Sequence, residues 1–137
     1  MSALARLAEL GIELPEVATP AGAYVPAVRT GNLVYTAGQV ARDWSGKVGA
    51  EVSEADAKTA ARACALSALA AVDALVGLDA VVRVVKVVGF VASAPGFTGQ
   101  PGVINGASEL LGEVFGEAGA HARSAVGVAE LPLGVPV

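Results

Sequence analysis

Hydrophobic positions change their spacing along this chain, and each change predicts an element. Leu4, Leu7, Ala8 and Leu10 fall at helical spacing, which predicts a short amphipathic helix over 2–10 that Gly11 ends. Pro15 and Pro20 keep the next stretch extended. "AYVPAVRTGNLVYTAGQV" reads as two strands joined at Thr30-Gly31-Asn32, where glycine or asparagine takes positive φ. Pro26 puts the first of these strands at an edge or a bulge. Residues 41–52 read as a loop that carries Trp44.

"SEADAKTAARACALSALAAVDALVG" is the clearest helix: Ser53 caps it, Asp56 completes a capping box, and Gly77 ends it. Its apolar face is read as Ala60, Cys64, Ala68, Ala71 and Leu75, with Cys64 a small buried hydrophobe. "VVRVVKVVGFVASA", 81–94, is β-branched throughout and predicts a long strand. Valines on both its faces predict cover from helices on one side and from another subunit on the other. Pro95 and Pro101 flank glycines over 96–106 that read as a mobile loop. A helix over 104–117 follows, with Leu110, Leu111, Val114 and Phe115 inward and Gly119 stopping it. "HARSAVGVAELP" gives the last strand, and "LPLGVPV" a closing turn. Hairpin, helix, strand, helix, strand, with no linker between them, predict a single α+β domain over 1–137.

Composition narrows the partners. The 137 residues are 54% hydrophobic but only 4% aromatic, so Val, Ala and Leu build the core, and so apolar a small chain predicts an oligomer. A net charge of −4 with scattered Lys and Arg argues against a nucleic-acid surface. One cysteine and one histidine exclude an intrachain disulfide and a protein-only zinc site of those ligands. Arg6 and Glu9 make the N-terminus too polar for a signal peptide, and charges interrupt the apolar runs. The expectation is a soluble, cytoplasmic protein without a membrane span.

Catalytic motifs are scarce: there is no Walker loop, no G-x-S-x-G and no suggestive cysteine–histidine pair. His121, in a loop before the last strand, reads as a solvated surface histidine rather than a base. Arg123 is the oddity, because an always-charged guanidinium opens an apolar strand. Either it is ion-paired, to Glu130 or Glu117, or its planar fork is held for a carboxylate. Tyr24 either covers an edge strand or binds a ligand, and Asn105 either caps the second long helix or binds a ligand.

"GAYVPAVRTGNLVYTAGQV", followed by "ARSAVGVAELP", resembles the reactive-intermediate deaminase family, also called YjgF or L-PSP proteins, over about residues 20–137. The N-terminal helix and "GFTGQPGVINGASELL" place it in a divergent branch. The resemblance implies a chorismate-mutase-like α+β fold, with two main helices on one face of the sheet, assembled as a homotrimer with clefts between subunits. It implies hydrolysis of 2-imino or enamino acids to 2-keto acids and ammonia without metal or cofactor. Arg123 would grip the substrate carboxylate, Tyr24 and Asn105 would line the site, and backbone groups near Ala125 would polarise the imine. Ala37 stands where the family has a serine. The family also carries a glutamate and a further strand just past Val137, so a longer natural chain is expected. A trimer that binds small carboxylates without chemistry is the alternative. A ribonuclease reading is weak for so acidic a chain.

Overall fold

The computed structural model describes residues 1–137. Helix α1 spans Ala3–Glu9, its first turn capped by Ser2 Oγ, which accepts from the Ala5 amide. Strands β1 (Ala27–Thr30) and β2 (Leu33–Thr36) pair antiparallel. Thr30 sits opposite Leu33, so the turn is the two residues Gly31-Asn32, with Gly31 at φ +55°. The strand begins only after Pro26, whose carbonyl accepts from the Ala37 amide.

Helix α2 (Glu54–Val76) starts as its sequence dictates: Ser53 Oγ accepts from the Asp56 amide at 3.1 Å, and Gly77 at φ +79° ends it. Its buried side is Ala57, Ala60, Ala61, Leu69, Ala70 and Ala71. The expected face is therefore rotated: Ala60 and Ala71 belong to it, Cys64 and Ala68 are half-buried, and Leu75 is 44% exposed. Small alanines, not the terminal leucine, face the neighbouring helix. Contrary to the reading of its charges, α2 is long and apolar enough by length and composition to cross a bilayer. It packs instead along a second helix, and Lys58 and Arg62 pair there with Glu109 and Glu113.

Beyond a 3-10 turn at Leu78–Ala80 come β3 (Lys86–Ala92), α3 (Gln100–Phe115) and β4 (Ala122–Val128), a parallel β-α-β unit. β3 is shorter than the 81–94 run because Val84 and Val85 bond to Ala118 and Ala122 just outside the regular ladder. α3 begins earlier than its hydrophobic pattern. Pro101 occupies the first turn, where a missing N–H costs nothing, so most of the expected mobile loop is helix. Gly99 is its N-cap, which removes the capping role considered for Asn105. Gly116, at φ +61°, ends α3, and Gly119 lies in the following 3-10 turn.

Val87, Gly89 and Val91 share a sheet face with Arg123, Ala125 and Gly127, their register partners. α3 covers this face. Val88, Phe90 and Val126 lie on the opposite face, about half exposed in the single chain. Two contacts set the height of α3. A Cβ at Gly89 would fall 2.4 Å from Ile104 Cδ1, and one at Gly106 would fall 2.0 Å from the Lys58 carbonyl oxygen of α2. Leu7, Leu69, Leu78, Leu110 and Val114 fill one core; Val48, Ala57, Val91, Ile104 and Val137 belong to a second. The chain ends by returning to that second core, with the Pro136 and Val137 carbonyls accepting from Ala92 and Ala41.

Replacing Gly106 by Ala should improve intrinsic helix propensity by about 1 kcal/mol, yet the helices must separate to admit the methyl. A net destabilisation of at least about 2 kcal/mol is expected, since a backbone oxygen cannot rotate away as a side chain can. Urea unfolding of Gly106→Ala beside the parent protein checks it.

Candidate functional site

Two periodicities bring four polar side chains together. On α3, Asn105 and Ser108 are one turn apart and therefore on one face. His121 immediately precedes β4 and Arg123 is its second residue, two positions apart in extended chain and therefore turned to one side. α3 lies over that side of the sheet, so the two pairs meet.

Arg123 Nη1 donates to Asn105 Oδ1 at 2.7 Å and to Ser108 Oγ at 3.2 Å. Ser108 Oγ lies 2.9 Å from His121 Nε2, and His121 Nδ1 lies 2.6 Å from the Gly119 carbonyl oxygen. A carbonyl only accepts, so Nδ1 carries the proton, and in the neutral ring Nε2 is left to accept from the Ser108 hydroxyl. All four side chains are half-buried, so the cluster is held by protein on one side and reached by solvent on the other.

The guanidinium is fixed by one nitrogen only. Its Nε–H and Nη2–H groups, the edge that matches a carboxylate with two parallel hydrogen bonds, have no protein partner. No carboxylate pairs with it either: Glu130 is 3.1 Å from Lys47 Nζ, and Glu117 makes no ion pair. Neither proposed counter-ion is therefore used. His121, expected in solvent, instead has both ring nitrogens engaged.

Ala125 lies on the same face of β4, packed against the core. The parallel ladder turns Ala122 and Val128 toward β3, so by alternation the amide and carbonyl of Ala125 point to the outer edge of β4, which nothing in the chain pairs. Tyr24 sits before β1, 52% exposed, its hydroxyl accepting from the Ala21 amide. Ala37 follows β2, its amide bound to Pro26. They flank the two strands of the hairpin, which packs on α2 rather than on β4. The chain thus joins Arg123 to Asn105 and leaves Tyr24 and Ala37 apart from them. Ser108, which the sequence reading passed over, is the link. Its signal was available: a hydroxyl one helical turn after Asn105.

No group of three His, Cys, Asp or Glu side chains lies close enough to hold a metal ion. A hollow of about 190 Å³ between α1 and α3 is lined by Met1, Leu78 and Phe115, and another of about 180 Å³ by Lys47, Glu51 and Glu130. Neither includes Arg123. Cys64 is no ready nucleophile, since burial pushes its thiol from 9.0 up to about 11. It points at the Val137 carbonyl, 3.8 Å away.

The Endoribonuclease L-PSP family model matches residues 15–137. The chain belongs to that family. Protein TCP17 of Trypanosoma cruzi is 46% identical over 140 residues, spanning 97% of this chain and 88% of its own length. Among solved structures, the protein Atu1372 of Agrobacterium tumefaciens is 44% identical with a TM-score of 0.87, covering 98% of this chain and 86% of its own. A Shewanella oneidensis MR-1 protein superposes with a TM-score of 0.94 at 30% identity, covering 99% of this chain and 94% of its own. E. coli TdcF, solved with bound serine, is 25% identical with a TM-score of 0.57, covering 90% and 87%. The match to this family extends the resemblance at residues 20–137 and supports the α+β fold implied there.

At pH 7 to 8 the Cys64 thiolate should be about a hundredfold scarcer than that of an unburied cysteine, because burial disfavours the charged form. Labelling by a thiol-disulfide reagent should be slowed about that much in the folded protein and restored in urea.

Proposed function

We propose that this L-PSP protein binds a small 2-imino or 2-keto carboxylate at Arg123 and hydrolyses the imino form to the keto acid and ammonia. The observation that carries this reading is the half-buried guanidinium anchored through Nη1 to α3, with its carboxylate-matching edge free and no acidic partner. The serine bound to the similar E. coli TdcF carries an α-carboxylate, which supports a ligand of that class. With the carboxylate on Arg123, the imine carbon lies one bond away, and the outward Ala125 amide offers a donor to the group next to it. Water then adds to a carbon held in place, and positioning supplies most of the acceleration. The reaction draws on no cofactor.

The site is completed in this proposal by a neighbouring copy within a cytoplasmic homotrimer. The exposed Val88, Phe90 and Val126 face and the unpaired edge of β4 supply the surface for that contact. Tyr24 and Ala37, separated from Arg123 within one chain, would approach it from the next. Ala37 favours a second reading, a binding trimer without chemistry, because the hydroxyl of a serine is missing there.

Imino acids generated in situ by an amino-acid oxidase provide the test. The parent protein should accelerate keto-acid release, and Arg123→Ala should lower kcat/KM by at least about a hundredfold, the usual cost of deleting one side of a charged pair. Retained turnover in Arg123→Ala overturns the assignment. Pyruvate that raises Tm without any imine turnover selects the binding-only reading. Phe90→Glu should break the trimer, read by light scattering.

A further inference from the structure

We infer that Ser108 and His121 form a proton relay serving the Arg123 site, with Ser108 touching the attacking water and His121 receiving the proton through it. The inference rests on the imine-hydrolysis reading and adds to it the groups that move protons.

The protein satisfies Ser108 Oγ only in part. A hydroxyl has one donor and two acceptor lone pairs. Its proton goes to His121 Nε2 at 2.9 Å, and one lone pair accepts from Arg123 Nη1 at 3.2 Å. The second lone pair has no protein partner, on an atom adjacent to the guanidinium that would hold the substrate. His121 is preset as a base, since the Gly119 carbonyl takes its Nδ1–H and leaves Nε2 for the hydroxyl. That carbonyl belongs to a closely packed turn: a Cβ at Gly119 would lie 2.2 Å from the Leu111 carbonyl oxygen. Hydroxyl, base and a third group orienting the base recur wherever a side chain must accept a proton promptly.

A protonated imine, bound by its carboxylate, is attacked by water; the new C–O bond forms as the C=N π pair moves onto nitrogen. The water gives a proton to Ser108 Oγ, while the Ser108 proton passes to His121 Nε2. The relay then runs backwards and protonates the amino nitrogen of the tetrahedral adduct. The C–N bond breaks with its pair leaving on ammonia, the adduct hydroxyl becomes the keto oxygen, and its proton leaves with the ammonia as ammonium. His121 acts through Ser108 and is a positioning residue for this transfer; Ser108 meets the reacting atoms.

Steady-state kinetics on oxidase-generated 2-iminopropionate, with pyruvate binding measured beside them, decide the matter. Ser108→Ala should lower kcat on the order of a hundredfold, the usual range for losing a proton-transfer group, with KM within about threefold. Ser108→Thr, which keeps the hydroxyl, should retain most of the parent kcat. His121→Ala should lose kcat similarly and regain at least about tenfold with added imidazole, which a purely structural histidine would not show. All three variants should bind pyruvate, which reports that Arg123 and the fold are intact. Unchanged kcat in Ser108→Ala, or a raised KM alone, overturns the relay while leaving the deaminase reading standing. A parent protein that binds pyruvate without turnover overturns both relay and deaminase and leaves the anion site.

Discussion

The seating of α3 governs everything near Arg123. Its backbone rides against the α2 carbonyl at Lys58 because residue 106 has no side chain, and Ile104 reaches the sheet because residue 89 has none. At that height Asn105 and Ser108 reach Arg123 of β4 and His121 just before it with short side chains. A helix displaced outward by one methyl would break the 2.7 Å contact from Arg123 before it exposed any core leucine. Packing and polar geometry are therefore one constraint, set by two glycines in different elements.

A second consequence concerns charge. A half-buried cation without a counter-ion is costly unless hydrogen bonds compensate for lost water. Asn105 and Ser108 compensate one nitrogen, which holds the group in a single orientation. Both are neutral, so they orient the guanidinium without cancelling its field. A carboxylate in their place would have stabilised the arginine and closed the site to an anionic ligand. Neutral acceptors leave the charge available.

Local chemistry made several elements legible. Ser53 with Asp56, Gly77, and the Gly31-Asn32 turn act through nearest neighbours, and their elements lie where the sequence puts them. The errors share a cause, which is that burial is decided by partners far along the chain. Leu75 looked like core by spacing, but α3 rests on alanines. The glycines of 96–106 looked flexible, although Pro101 was a helix-start signal and Gly106 a close-contact position. Arg123 was legible because a guanidinium in an apolar strand conflicts with local pattern. His121 and Ser108 were not, since each is ordinary until the fold sets one above the other.

The chain's return into the core passes through Leu133, which holds φ +62° with its side chain mostly in solvent. A branched residue in the left-handed region costs roughly 1 kcal/mol or more. Val135, Pro136 and Val137 hold the backbone there by being buried against β3 and Ala41. The closing turn keeps its left-handed leucine only while the three buried side chains beyond it stay seated.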